Sequence, residues 1–496
     1  MKRMRIDEWF FLGFLFTYTL SIRKVLYFVP IRGNFNEYTG SYLYLSDLFI
    51  VATLVCWARY LLLKHKKEEK SICYENDKVN VPRGTYRLTE IIFKNNSQVI
   101  HSFVKYLCIG LIAYSFLSIM WSNAHTIALY RAIKLLEFVL VFVYLLKNVP
   151  RETFFKRILW ITIIIGALNS VIGILQIIFQ HSVGISWLWE SYLNINVDGV
   201  AKVILGNSKV LRAYGLFPHP NIFGGFLVMS ITFNLILLKM FHVEHKMKEK
   251  RQKNTAKCST WNKIINKSKD ICKKCSTWNN MLLDYTKMVQ NVSRGTLLSL
   301  ILFFQSIGLI ITFSKSAWTA MIIVLIFIFV RNVPRGTKID VSFISKKLIL
   351  LVLIVIMALI SLKYNIKENL SKSIDDRIGF INVSRGTISN NLWFGVGVGQ
   401  SVVNMAGDND LKNWQFQPVH NVFLLIFQEF GLIGSFILTC LIVLMFHVEH
   451  SRRQETVMYF KALMLAFIFI MFFDHYFWDI QQGQLMLVII ASLLEE

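Results

Sequence analysis

The stretch Ile158–Gln180, ILWITIIIGALNSVIGILQIIFQ, decides the fold: more than twenty consecutive residues without a formal charge. A run of about 20 apolar residues is the length that crosses the hydrocarbon core of a bilayer as a helix. Its apolar residues are continuous rather than alternating, which excludes the dyad pattern of a membrane barrel strand. Such runs recur along the whole chain. The 496 residues are 54% hydrophobic and 14% aromatic, with a mean hydropathy of +0.49, far from the balance of a water-soluble domain.

Candidate spans lie at approximately 9–30, 43–63, 104–121, 127–147, 156–180, 221–241, 297–313, 316–331, 346–363, 419–445, 456–473 and 480–494. The expected fold class is therefore all-α: one polytopic membrane domain over 1–496, of about 12 spans, with both termini cytoplasmic. Met1 to Arg5 followed by Trp9 to Leu20 resembles a signal peptide, but no small-residue cleavage site follows, so a retained first span is expected.

The formal charge of +24 would suggest nucleic acid for a soluble protein, but here its distribution matters. Lys64 to Lys70, Lys147 to Lys156, Lys246 to Lys274, Arg331 to Lys347 and Arg452-Arg453 all fall in alternate connections, which the positive-inside rule assigns to the cytoplasm. No nucleic-acid partner is expected; membrane lipids are. The basic cytoplasmic insertion spans 242–296. On the opposite face two long loops are expected, 181–220 and 364–418, and loops of that length on a compact bundle are usually functional or disordered.

Short repeats run through the chain. VPRGT occurs at Val81 and Val333, with variants at Val149 (VPRET), Val292 and Val383 (VSRGT); FHVEH occurs at Phe241 and Phe446, and CSTWN at Cys258 and Cys275. One palindromic nucleotide string, GTTCCACGTGGAAC, encodes all three families in its three frames, and the variants need one base change each. The hypothesis is a DNA element seeded through the gene; unrelated codons at these nine places would refute it. Cys258, Cys272, Cys275, His242 and His245 superficially offer zinc ligands. Four of the five come from the repeat, so no metal site and no cofactor are expected. Nor is a structural disulfide, since the seven cysteines place no pair in the external loops.

Four segments at the predicted external face carry chemistry: Arg212-Ala-Tyr-Gly215-Leu-Phe-Pro218-His219-Pro220-Asn221, Ser314-Lys315-Ser316 in a tight hairpin, Arg377 through Gly395-Val-Gly397-Val-Gly399, and Pro418-Val-His420-Asn421. A lone arginine there often meets only lipid headgroups, and an interfacial histidine often only caps the helix that follows. The glycines lack the strand and helix of a nucleotide fold, which leaves close backbone approach to a lipid or to another span.

The ordered set, with His420-Asn421 followed by Gly431-Leu-Ile-Gly434, resembles the O-antigen ligase and polymerase superfamily over about 212–434. Lys315 stands where that family often has arginine, and the copy at Val383 overlies the stretch after Arg377. The resemblance implies transfer of a glycan from an undecaprenyl-diphosphate carrier to a glycan or lipid acceptor hydroxyl, without cofactor, at the external face of the cytoplasmic membrane. On that reading Arg212 and Arg377 bind the diphosphate, since arginine offers planar paired donors to phosphate oxygens. His420 is the catalytic base, because imidazole titrates close to neutral pH. His219, Asn221, Lys315, Gly395, Gly397 and Asn421 are further candidate substrate contacts. The alternative function is a transporter or flippase of lipid-linked oligosaccharide, which should show repeated spans and charges at mid-membrane.

Overall fold

The computed structural model describes residues 4–72, 88–205, 208–265, 295–331, 368–407, 411–447 and 454–494. The chain order is α1 (Ile6–Thr17), β1 (Arg23–Phe28), β2 (Gly40–Tyr44), α2 (Leu45–Ile72), α3 (Leu88–Leu117), α4 (His125–Asn148), α5 (Glu152–Phe179), β3 (Lys202–Leu205), β4 (Ser208–Leu211) and α6 (Pro220–Ile265). There follow α7 (Gly295–Ile311), α8 (Lys315–Arg331), α9 (Glu368–Asn390), α10 (Val422–His447), α11 (Gln454–Met471), α12 (Tyr476–Asp479) and α13 (Gln481–Leu494).

Five of the described helices contain apolar segments long enough to cross a bilayer: Leu45–His65, Phe103–Trp121, Glu152–Phe179, Pro220–His242 and Val422–Leu444. Four more, α7, α8, α11 and α13, carry shorter apolar segments. This is a helical, multi-pass membrane protein. The expected span at 346–363 lies outside the described residues, as do Cys272 and Cys275.

The first expected span is corrected. The helix stops at Thr17, and residues 23–28 form a strand paired antiparallel with residues 40–44, with a bulge between Val25 and Tyr27. Hydropathy along 9–30 is high, but Val25, Tyr27 and Phe28 also suit a strand, and Pro30 followed by Arg32 and Gly33, both at positive φ, turns the chain back.

The helix ends separate cleanly. At one end the start of α1 meets the junction of α4 and α5: Glu8, 3% exposed, pairs with Arg151 and with Arg157 at 3.3 Å, and Arg5 pairs with Asp7 and donates to Asn148 at 2.7 Å. At the other end the start of α2 meets the start of α13, Gln481 donating to Asp47 at 2.6 Å, and the end of α11 meets the start of α6. This second end holds every segment singled out above.

Helix α6 is the axis of the bundle, residues 222–237 all being buried. It packs closely because facing residues are small: a Cβ on Gly166 of α5 would come within 2.3 Å of Ser230 Oγ, and one on Gly224 within 2.8 Å of Ala317. Small residues at crossings let membrane helices gain dispersion contact that lipid cannot otherwise drive. Buried polar side chains are paired across the neighbouring α6–α7 crossing, Gln305 donating to Ser230 at 2.9 Å and Asn234 to the Leu298 carbonyl at 3.1 Å.

Helix α10 bends at Gly431, where φ is 61° and ψ −162°, a region open only to glycine. The 392–397 strap fills the bend: Leu432 N–H donates to Leu392, Val396 N–H to Gln428 and Gly397 N–H to Glu429 at 2.9–3.0 Å. A Cβ on Gly431 would sit 2.4 Å from the Trp393 carbonyl oxygen. Gly431→Ala is therefore expected to destabilise the protein by on the order of 3 kcal/mol, seen as a lowered thermal midpoint in detergent. An unchanged midpoint would mean that the strap is not locked to the bend.

Candidate functional site

The loop 211–219 is built before any substrate arrives. Gln176 of α5 accepts from the Tyr214 and Gly215 amides at 3.0 and 2.9 Å and donates to the Gly215 carbonyl at 2.8 Å. Asn169, two helix turns earlier, accepts from Leu216 N–H at 2.8 Å. Two buried amides on one face of α5 thus satisfy a loop whose backbone would otherwise be left unpaired.

That scaffold sets Arg212 across two elements. Its Nε donates to the Thr312 carbonyl at 2.7 Å, in the turn between α7 and α8, and one Nη donates to Asn221 Oδ1 at 2.6 Å. Asn221 in turn donates to Asp474 at 2.7 Å, and its own amide donates to His219 Nδ1 at 3.2 Å. Burial pushes Arg212 down to about 10, which leaves it cationic at neutral pH.

His420 stands on the next element. Phe380 of α9 stacks on its ring, centroids 5.6 Å apart and planes 24° apart, and the His475 ring meets it edge-on at 4.8 Å. Its buried Nδ1 has no hydrogen-bond partner. Asn421 acts at least as a helix cap: its Oδ1 accepts from Leu424 N–H at 3.0 Å and its Nδ2 donates to the Phe472 carbonyl at 3.3 Å.

The turn 474–479 joins these groups. Asp474 and His475 are each 5% exposed, and His475 Nδ1 lies 2.9 Å from both Asp479 carboxylate oxygens. Burial pulls His475 down, but the Asp479 carboxylate and its hydrogen bond, with Asp474 nearby, hold it up at about 9. Burial and then the His475 charge press His420 down to about 4, and burial and Arg212 press His219 down to about 3. Asp474 stays below the usual carboxylate range because the neighbouring imidazoles outweigh its burial. At neutral pH the site therefore holds one imidazolium, His475, beside two neutral imidazoles.

These residues surround a cavity of about 300 Å³. Its lining includes His219, Asn221, His420, Asp474 and His475. Arg212 lies behind them, bonded to Asn221. Arg377, half-buried one turn before Phe380 on α9, is close enough for its charge to be felt by His420 and Lys315, and Arg212 also acts on Lys315. Lys315 is exposed at the start of α8. Gly395 and Gly397 are not in the lining: added Cβ atoms would strike the Glu429 backbone at 2.4 Å and Ser122 Oγ at 2.1 Å. Their positive φ serves close approach to other spans, one of the two uses expected of them.

Residues 299–439 match the family model of O-antigen ligase. The match supports the O-antigen ligase and polymerase superfamily for this chain, as the ordered motifs implied. It runs from α7 into α10 and takes in Lys315, Arg377, Gly395, Gly397, His420 and Asn421. Arg212, His219, Asn221 and the 474–479 turn lie outside it, yet His219, Asn221 and the turn line the same cavity as His420, with Arg212 bonded to Asn221 behind them. No curated protein matches the chain significantly.

Sequence reasoning missed Asp474, His475 and Asp479. The available signal was their density: three titratable groups in one short connection between two spans, on the face already holding His420.

The charge states give a pH signature. Protonation of His420 near pH 4 should remove a base, and loss of the His475 proton near pH 9 should change its neighbour, so an activity resting on this pair should be flat between about pH 5 and 8. His475→Gln removes the cation that adds to burial in depressing His420, so the acid limb should move up from about 4. A limb that stays in place would disconnect the two rings. Stability has its own sign: His420 and His219, depressed when folded, disfavour the folded state as pH falls below 6.5, whereas raised His475 supports it below 6.5 and loses that contribution as pH rises toward 9.

Proposed function

We propose that this O-antigen ligase-like chain transfers a glycan from an undecaprenyl-diphosphate carrier to an acceptor hydroxyl, at the external face of the cytoplasmic membrane. The observation that carries this reading is His420: a neutral imidazole with an unpartnered buried Nδ1 at a polar cavity, close enough to Arg377 to feel its charge and with Arg212 behind Asn221 of the same lining.

His420 takes the acceptor proton as the hydroxyl oxygen bonds to the anomeric carbon. The bond from that carbon to the carrier's phosphate oxygen breaks, and the diphosphate leaves with the electron pair. Arg212 and Arg377 stabilise the charge that develops on it. A base at about 4 is weak in the empty site, but a diphosphate bound nearby adds negative charge that raises the affinity of His420 for a proton. The donor thus tunes its own base. Asn221, Lys315 and His219 hold the leaving group and loop in place, and Asn421, Gly395 and Gly397 fix the elements that carry them.

The test is reconstitution of the purified protein in proteoliposomes with carrier-linked glycan. Glycan lengthening on the carrier identifies a polymerase, and glycan moved to another lipid identifies a ligase. Carrier-linked glycan that crosses the bilayer with no new glycosidic bond would instead establish a flippase and refute transfer.

A further inference from the structure

The cavity has a second wall that the transfer chemistry does not use. The β1–β2 hairpin and α4 supply it: Arg23, Tyr42 and Tyr44 from the hairpin, Tyr130 and Arg131 from the first turns of α4. The hairpin is fastened over the site, Asn36 donating to the Phe416 carbonyl at 2.7 Å and Tyr38 meeting the His475 ring edge-on at 5.5 Å.

The chemistry of this wall differs from that of the first. Arg23 lies 4.4 Å over the Tyr42 ring and donates to the Tyr44 hydroxyl and to Glu37, both at 3.3 Å. Lys134 is neutralised by Asp47 at 2.6 Å and Glu137 at 2.9 Å. Arg131 donates to the Asp479 carbonyl at 2.7 Å, while its buried Nε has no partner; nor has Gln481 Oε1 on the same lining. Buried polar atoms are nearly always hydrogen-bonded, so an unpartnered donor and an unpartnered acceptor on two side chains of one lining point to a ligand that offers both. A hydroxyl group does so. Phosphate does not, and the carboxylates here leave little net positive charge to draw a second one. Aromatic faces beside a planar guanidinium, with mixed donors and acceptors, suit the ring of a neutral sugar.

We propose that the hairpin–α4 wall is the subsite for the acceptor's terminal sugar, presenting its attacking hydroxyl to His420. This deepens the glycan-transfer reading and rests on it. Arg131 links the subsite to the base through the Asp479 carbonyl, because Asp479 also holds His475.

The test uses the full chain in proteoliposomes, with a fixed amount of radiolabelled carrier-linked glycan as donor and the host's unlabelled total glycolipid titrated as acceptor. Arg23→Gln should raise the half-saturating acceptor concentration at least about fivefold while leaving that of the donor unchanged, and Arg23→Lys, which keeps charge but not the planar stack, should recover only part. Should Arg23→Gln fail to accumulate, Tyr44→Phe deletes one oxygen that accepts from Arg23 and should shift the same parameter in the same direction. An unchanged acceptor value, or an equal rise for the donor, overturns the subsite alone. Absence of transfer by the unsubstituted protein overturns the glycan-transfer reading and the subsite with it.

Discussion

His420→Ala is expected to reduce glycan transfer at least about 100-fold while the protein remains in the membrane in normal amount, since a positioned general base contributes roughly 10²–10⁴-fold. The substitution removes a ring stacked on Phe380 and packed against His475, but it breaks no hydrogen bond of Nδ1, which has none to lose. Folding should therefore survive better than activity. His420→Gln, which keeps polarity without a titrating nitrogen, should be equally inactive. Transfer at a normal rate by either variant removes His420 from the mechanism.

Arg212→Ala is expected to fall nearly as far, by about two orders of magnitude, with part of the loss structural. Two donated bonds disappear, to the Thr312 carbonyl and to Asn221, and Asn221 loses the partner that aims it at Asp474. A buried acceptor left unpaired costs about 1–3 kcal/mol. Arg212→Lys should rescue poorly, because one ammonium group cannot reproduce the fork that spans the α7–α8 turn and the start of α6. Diphosphate binding separates the two roles: if Arg212→Lys binds carrier-linked glycan normally and is merely less stable, Arg212 is a strut and not a ligand.

How much of this was legible depends on which physical signal each part leaves. Spans are legible because bilayer thickness imposes a length on apolar runs, and Ile158–Gln180 leaves little alternative. The β1–β2 hairpin was not, because Val25-Leu26-Tyr27-Phe28 is as apolar as a span, and hydropathy does not distinguish a strand lying over the bundle end from a helix within it. Arg212, His219, Asn221 and His420 were legible as a set by their order and common face, and the structure brings them to one cavity or, for Arg212, directly behind it. The 474–479 turn was overlooked because a short connection between two spans resembles any other. Gly395 and Gly397 declared a need for close approach, but a glycine does not say what it approaches; here it is Glu429 and Ser122. Arg23 and Arg131 were silent because each fell inside an expected span, 9–30 and 127–147, where a basic residue belongs to no motif.

The pairing of Arg151 with Glu8 has a consequence for the history of the gene. Arg151 belongs to the VPRET copy at Val149–Thr153, which the palindrome reading treats as a passenger. Val149 is fully buried, and Arg151 shares Glu8 with Arg157 while donating to Asn148 at 2.9 Å. An inserted element that supplies a counter-charge to a buried carboxylate becomes hard to delete, since its removal strips a partner from Glu8. On the palindrome reading, this copy would be held in place by the protein it encodes.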